Sequence, residues 1–150
     1  MSLGDNICLP NYDKISTLGC IRRNKRNSLI KRFVDSLSIR PSLPERLAGE
    51  FSGGNQQKAV ISKWLAINPK VLILDEPTRG IDVGAKSEIY TLIRDLTEQG
   101  VSIIFISSEL LEIIGMCDRV LVMCEGRING EFTRDEFSQK RIMQAASGTL

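Results

Sequence analysis

The sequence contains no histidine, and that absence excludes several mechanisms. A chain without histidine has no Ser-His-Asp or Cys-His nucleophile system, no His-ligated zinc site and no histidine-based pH switch. Any catalytic chemistry must therefore rest on carboxylates, hydroxyls, backbone amides and bound ions.

Long apolar runs are also missing. No run approaches the ~18 residues that a membrane span needs, and no signal peptide opens the chain, so we expect a soluble protein that reaches a membrane only through a partner. The four cysteines show no C-x-x-C pair and no metal-ligand spacing, which favours free thiols in a reducing cytoplasm. They are Cys8, Cys20, Cys117 and Cys124.

Acidic residues are absent from one stretch of the chain, between Arg22 and Arg32, although the net charge is only +2. The stretch holds six cations: Arg22, Arg23, Lys25, Arg26, Lys31 and Arg32. Such a cluster suits a nucleic-acid or phospholipid surface. It also suits a solvated helix face, and the lack of interleaved aromatic residues favours this second interpretation.

The 150 residues correspond to one domain or one large piece of a domain. Residues 1–26 are predicted to be irregular, because glycine and proline interrupt any period. Apolar spacing predicts a helix over 28–39. A second helix is predicted after Ser52 as its N-cap, ending before Asn68. Its inward side chains are expected to be Val60, Ile61, Trp64 and Leu65.

Downstream, short apolar runs alternate with helical patterns. The runs predict strands at 71–74, 101–106, 120–123 and 127–132, and the patterns predict helices around 89–96, 110–114 and 134–145. This order indicates an α/β fold with a parallel sheet whose strands are buried on both faces. The mostly helical first third is expected to form a separate lobe.

An acidic pair follows the strand predicted at 71–74. Asp75 and Glu76 stand where parallel strands of α/β proteins bind ligands. The first carboxylate could hold Mg²⁺, usually through water, and the second could orient or deprotonate an attacking water. A solvated turn after a strand is the alternative interpretation.

A glycine-rich segment opens the second predicted helix. Ser52, Gly53, Gly54 and Gln56 would place backbone amides and a hydroxyl at the positive end of the helix, which suits a terminal phosphate. A simple glycine-rich N-cap is the alternative interpretation.

Taken together and in order, three segments resemble motifs of ATP-binding cassette (ABC) ATPases. Residues 52–57 resemble the signature motif, 74–78 the Walker B strand with its following glutamate, and 80–82 the D-loop. The phrases SGGNQQK, DEPTRGID and ISSEL are similar to the second cassette of fused ATPases that power bacterial ribose-, galactose- and xylose-type importers. The resemblance extends to Leu150.

The P-loop of that family is missing from this sequence. No G-x-x-x-x-G-K-[ST] occurs, and the glycine spacing of Gly49–Gly54 is followed by Asn55 where the motif requires lysine. The resemblance therefore implies the C-terminal part of a P-loop NTPase cassette of ABC type. Residues 1–66 would form the helical signature lobe, and 67–150 would form part of the parallel-sheet ATPase core.

The resemblance also assigns roles and partners. In the family, cassettes pair head to tail, so Ser52, Gly53, Gly54 and Gln56 would serve ATP held on the paired cassette. Asp82, in the D-loop, would also bind nucleotide. Asp75, through Mg²⁺, and Glu76 would serve the nucleotide of the chain's own cassette. The implied partners are the N-terminal remainder of that cassette, the paired cassette and transmembrane permease subunits, at the cytoplasmic face of the cell membrane. Nucleic acid is not among them.

One position departs from most of the family. Ser108 stands where most family members have a histidine that contacts the γ-phosphate. Second cassettes of the sugar importers also have a serine at this position. Serine is shorter and uncharged, so it offers less to charge that develops on the phosphoryl group. The sequence therefore predicts a catalytically weakened site around Glu76 and a contribution made mainly through the signature motif.

Two other functions remain open at this point. One is the C-terminal lobe of a DNA-repair ABC ATPase, which the basic stretch would suit, although no heptad seam precedes Ser52. Salt-dependent DNA binding would identify it. The other is a non-hydrolysing interaction module, which would show no nucleotide effect even when joined to a P-loop half.

Overall fold

The computed structural model describes residues 1–149, which form two compact units, Met1–Ile104 and a second that begins at Phe105. The first unit contains five helices, α1 (Leu3–Cys8), α2 (Tyr12–Ile15), α3 (Arg23–Ser36), α4 (Gly53–Leu65) and α5 (Val83–Glu98). Its strands are β1 (Ser16–Thr17), β2 (Cys20–Ile21) and β3 (Val71–Asp75). Strand β4 (Ser102–Ile106) crosses the boundary, and the second unit holds α6 (Leu110–Met116), β5 (Arg119–Cys124), β6 (Arg127–Thr133) and α7 (Gln139–Ala146). Short 3₁₀ turns lie at Leu9–Asn11, Ala48–Glu50 and Arg134–Glu136.

The prediction that residues 1–26 are irregular is wrong. The Ser2 hydroxyl caps α1 by accepting a hydrogen bond from the Asp5 amide at 3.1 Å, and the apolar side chains of α1 are fully buried. The helix packs against α3 and α4. Elements of two to six residues are too short to show a period, so only their burial against the rest of the unit reveals them.

Helices α3 and α4 are confirmed with changed bounds and faces. Helix α3 begins five residues before the predicted start, and α4 begins directly after Ser52 as predicted. Ile61 and Leu65 of α4 are buried as expected, whereas Val60 and Trp64 are about half exposed. The inward stripe of α4 is therefore narrower than the apolar pattern suggested.

Strands β3 and β4 are hydrogen-bonded neighbours joined through α5, a crossover connection of the kind that parallel pairs require. The prediction that β3 is buried on both faces is wrong. Leu72 and Leu74 are buried, but Val71 is 52% exposed and Ile73 is 62% exposed. Burial on both faces needs a second covering layer, and the described residues cover one face of β3.

The second unit is built on an antiparallel hairpin. Strands β5 and β6 pair from Arg119–Thr133 to Cys124–Arg127, with an irregularity between Val122 and Met123. Within the described residues β5 pairs only with β6, and this pair is antiparallel, whereas the order of the elements indicates a parallel sheet. The turn at 125–126, in which both residues have positive φ, returns the chain directly into an antiparallel neighbour.

Helix α7 covers the inner face of that hairpin. Its buried side chains meet those of both strands in one cluster formed by Val120, Val122, Phe132, Ile142 and Ala145. The guanidinium of Arg141 lies 5.0 Å from the ring centre of Phe132, and the Asn129 amide donates to the Ala145 carbonyl at 2.7 Å. The second unit thus has a core of its own.

All four cysteines are free, as expected. Burial raises the pKa of the Cys8 and Cys117 thiols. No helix within residues 1–149 combines the length and apolar character needed to cross a membrane.

Candidate functional site

The start of α4 presents backbone amides that no side chain caps. Ser52 adopts an extended N-cap conformation, and the Gln56 amide donates to its carbonyl at 2.9 Å. The Ser52 hydroxyl makes no cap bond and instead accepts a hydrogen bond from the Asn55 side chain at 2.9 Å. The first-turn amides of this thirteen-residue helix, two of them from Gly53 and Gly54, can therefore donate to an anion.

Asn55 fixes the hydroxyl next to these amides, a role that sequence reasoning missed. Its side-chain oxygen accepts from the Arg40 amide at 2.8 Å while its NH₂ group donates to Ser52. The predicted site residue Gln56 donates its own side-chain NH₂ to the Phe51 carbonyl at 2.7 Å. Both side chains thus organise the loop that precedes α4. Their partners in that loop are set by the fold and not by a local sequence signal.

The two glycines are required by packing as well as by amide exposure. A Cβ on Gly53 would lie 3.0 Å from Cγ2 of Ile81, and a Cβ on Gly54 would lie 2.6 Å from Cβ of Ala85. The structure therefore brings the predicted signature segment against the loop and first turn of α5. Sequence reasoning assigned both segments to nucleotide binding but did not anticipate this direct contact.

Asp82 begins α5 as its N-cap. Its carboxylate accepts a hydrogen bond from the Ala85 amide at 2.9 Å, and the residue is exposed to solvent. The same residue that was predicted to bind nucleotide thus also sets the direction of α5. It holds Ala85 where that residue contacts Gly54.

Asp75 and Glu76 lie at the carboxyl end of β3, as predicted. Asp75 is exposed, and Glu76 is half-buried in a turn in which its carbonyl accepts from the Arg79 amide at 3.1 Å. Glu76 has a φ of +47°, in the left-handed region that a non-glycine residue rarely adopts. Thr78, two residues on, is fully buried and anchors the turn.

Ser108 lies in the second unit, between β4 and α6, and is exposed. Its neighbour Ser107 donates its hydroxyl to the Glu112 carboxylate at 2.8 Å and accepts from the Glu109 amide at 3.0 Å. Glu112 is 6% exposed, so its carboxylate is held inside the unit. Sequence reasoning missed Glu112, because its position on α6 resembles that of any solvated glutamate.

Asp75 offers one exposed carboxylate to a metal ion. Among residues 1–149 no group of three or more Cys, Asp or Glu side chains could hold a metal ion. Mg²⁺ usually keeps several waters and takes one or two carboxylates together with nucleotide phosphates. The exposed carboxylate of Asp75 meets that requirement.

One ion pair joins α4 to α5 behind the glycine contact. Nζ of Lys58 lies 2.7 Å from Oε2 of Glu88, and Lys58 is only 7% exposed although it is charged. Glu88 is mostly exposed and supplies the anion from the solvent side. A buried ammonium without a partner carries a large desolvation cost, so this pair fixes the spacing of the two helices.

Replacing Glu88 by glutamine should lower the free energy of unfolding of the chain by about 1–2 kcal/mol. This loss lies between those usual for exposed and for fully buried salt bridges. Lys58→Met should cost less, because it keeps the apolar stem and removes the buried charge. Urea unfolding followed by the fluorescence of Trp64, the single tryptophan and a residue of α4, measures both. Glu98→Gln, at an exposed position near the end of α5, is the control and should change the midpoint little. A larger loss for Lys58→Met than for Glu88→Gln would contradict this account of the pair.

Comparison with known proteins identifies the family. The sequence pattern of the family described as ABC transporter matches residues 5–79. The chain is 54% identical over 147 residues to the ribose import ATP-binding protein of Bacillus subtilis, covering 98% of this chain and 30% of that protein. It is 54% identical over 149 residues to the xylose import ATP-binding protein of Thermoanaerobacter pseudethanolicus, covering 99% of this chain and 29% of that protein. The chain thus spans less than a third of the length of these relatives.

Solved structures show the same fold at low identity. An inward-facing metal-chelate type ABC transporter matches with a TM-score of 0.85 at 19% identity, over 99% of this chain and 58% of that chain. A nucleotide-free ATP-binding cassette from an ABC transporter matches with a TM-score of 0.80 at 20% identity, over 97% of this chain and 62% of that chain. The fold is therefore a mixed α/β part of a cassette, and the chain belongs to the ABC transporter family.

Proposed function

We propose that the chain is the signature-bearing part of an ATPase subunit that couples ATP binding and hydrolysis to sugar import through a membrane permease. Its similarity to the ribose and xylose import ATP-binding proteins supports this substrate class. In this proposal residues 1–66 form the signature lobe, and residues 67–150 supply the Walker B strand, the D-loop and the switch region. The C-terminal lobe of a DNA-repair ATPase has no comparable support among these relatives.

The contact of Gly53 and Gly54 with Ile81 and Ala85 carries the proposal. It brings the amide-bearing start of α4 beside the Asp82 loop, and we propose that both motifs face one surface. A helix N-terminus with uncapped amides stabilises a terminal phosphate. We propose that this surface closes on ATP held by the paired cassette, with Ser52 and Gln56 completing the signature.

Asp75, Glu76 and Ser108 belong to the other half of the proposed chemistry. Bound ATP and Mg²⁺ would supply the phosphoryl group and its charge compensation when the cassette is complete. Asp75 would hold the ion through water, and Glu76 would accept a proton from an attacking water. Ser108 can offer only a neutral hydroxyl to the phosphate, so this site would contribute little turnover.

The exposed face of β3 supports a structural partner. Val71 and Ile73 lie on that face, and Ile104 of the neighbouring strand β4 is also half exposed. Aliphatic side chains in a strand are normally covered in α/β folds. We propose that the N-terminal remainder of the cassette covers them, and that the complete subunit sits at the cytoplasmic face of the membrane against its permease.

The chain alone should bind Mg-ATP more weakly than micromolar, or not at all. The sequence contains no P-loop, so neither the amide cradle nor the lysine for the nucleotide phosphates is present. Isothermal titration calorimetry on the chain alone, and on the chain joined to a P-loop half, measures the difference.

Binding should appear in the joined protein and disappear when the lysine of its P-loop is replaced. Micromolar binding by the chain alone would refute the division of the site between the two halves. No nucleotide effect in the joined protein would instead support a non-hydrolysing interaction module.

A further inference from the structure

The proposed ATPase role leaves one surface of the first unit unused, the β1–β2 hairpin with the start of α3. Ser16 pairs with Ile21 and Thr17 with Cys20, so Leu18 and Gly19 form the tip. The base of the hairpin is anchored by buried Ile15, whose carbonyl accepts from the Arg22 amide at 2.9 Å. The tip is therefore held out from a fixed base. We call Leu18, Ile21, Arg22, Arg23 and Lys25 the hairpin surface.

The tip of the hairpin surface is apolar and strained. Leu18 is 98% exposed and has a φ of +51°, and Ile21 is about half exposed. Two-residue hairpin tips with positive φ at both positions favour Asn-Gly, because asparagine and glycine adopt positive φ at a lower energetic cost than leucine does. Because Leu18 is almost fully exposed, packing contacts within the chain do not explain a leucine at this position.

The cations of this surface lack anionic partners. Arg22, Arg23 and Lys25 are exposed and form no ion pair with any residue in the described part of the chain. Arg26, one position further, differs because Asp5 and Glu45 each lie 2.9 Å from its guanidinium, and its hydrogen bond lowers the pKa of Asp5. The structure thus neutralises Arg26 internally and leaves the three preceding cations to solvent.

The position of these cations is unfavourable for α3 itself. Arg23 and Lys25 lie in the first turn, Arg22 is the N-cap, and no acidic residue is present there. Positive charge at a helix N-terminus opposes the helix dipole. A negatively charged surface outside the chain would offset that repulsion.

We infer that the hairpin surface docks on the headgroups of an anionic phospholipid bilayer. An apolar tip flanked by cations allows leucine to enter the acyl boundary while arginine and lysine remain at the phosphates. Binding of this kind needs no shaped pocket. Nucleic acid shares the negative charge but offers no apolar phase for Leu18, and no aromatic residue accompanies the cations for base stacking.

Co-sedimentation of the chain with lipid vesicles tests this inference. Binding to vesicles of phosphatidylcholine with phosphatidylglycerol should exceed binding to phosphatidylcholine alone, and it should fall at high salt. Replacing Arg22 and Arg23 by glutamine should weaken binding about twenty-five-fold, since each cation near an anionic surface contributes about fivefold. The control replaces two exposed cations outside the hairpin surface, Arg94 and Lys140, by glutamine. Vesicle affinity of this variant should fall only by the amount that the lower net charge explains.

Leu18→Asn separates lipid docking from attraction to any polyanion. Asparagine accepts positive φ, so the hairpin should stay folded and its urea midpoint should hold or rise. Vesicle affinity should fall about tenfold because the apolar insertion is lost. Unchanged vesicle binding by Leu18→Asn, or displacement of the chain from vesicles by RNA at equal phosphate concentration, would overturn the inference. Neither result depends on ATPase activity, so the proposed function is tested separately.

Discussion

Replacing Ser52 by arginine should lower the ATPase turnover of a complete importer that contains this chain by about a hundredfold or more. The Ser52 hydroxyl lies at the uncapped start of α4, where Asn55 holds it beside the first-turn amides. An arginine side chain would fill the place proposed for the incoming phosphate and pair with the phosphate in a wrong position. Steady-state phosphate release by the reconstituted importer measures the effect.

The same measurement on Glu76→Gln should show a loss of less than about tenfold. General-base catalysis usually contributes about 10²–10⁴-fold. Because Ser108 is proposed to offer the phosphate only a neutral hydroxyl, we expect the turnover of this site to be small before the change. Thr97→Arg, which replaces an exposed hydroxyl in the last turn of α5, is the control and should keep turnover near its starting value. A larger loss for Glu76→Gln than for Ser52→Arg would reverse the assignment of the two sites.

Replacing Gly54 by alanine should destabilise the first unit by about 1–3 kcal/mol, the usual cost of overpacking. The added Cβ would lie 2.6 Å from Cβ of Ala85, a separation at which one helix must shift. In an uncrowded helix the same change would stabilise by up to about 1 kcal/mol. Urea unfolding monitored through Trp64, which lies on the same helix, reports the difference.

Two further variants make the Gly54 result specific. Gly49→Ala adds the same methyl where no atom lies within 4 Å, so its midpoint should hold or rise slightly. Combining Gly54→Ala with Ala85→Gly removes the clash and should recover about 1 kcal/mol or more relative to the sum of the single changes. Additive losses in the double variant would show that the two residues do not meet.

Local sequence signals predict the elements that position the candidate site. Ser52 with two glycines defines the start of α4, four aliphatic residues before Asp75 define β3, and Glu125-Gly126 marks the β5–β6 turn. Each of these is a short-range effect of capping, burial or turn geometry. The local pattern alone therefore assigns the acidic pair to the end of β3 and the two glycines to the first turn of α4.

Contacts between distant segments are not predictable in the same way. The meeting of Gly54 with Ala85 and the pairing of Lys58 with Glu88 depend on how α4 packs on α5, and nothing in the local pattern fixes that packing. The exposed face of β3 is also not predictable, although here the local pattern itself is clear. A run of aliphatic residues indicates that both faces of the strand are suited to burial. It does not indicate whether the layer that covers them belongs to the same chain.

The backbone at Glu76 has a consequence for how this protein balances robustness against activity. A glycine or asparagine would adopt its φ of +47° more easily, and such a change is a common way to raise stability. The carboxylate is held at the end of β3 in spite of that gain. Substitutions that relieve strained positions to make the chain more heat-resistant would therefore include Glu76 among their first targets. They would remove the carboxylate that is proposed to accept a proton. Engineering of this chain should leave the turn after β3 untouched.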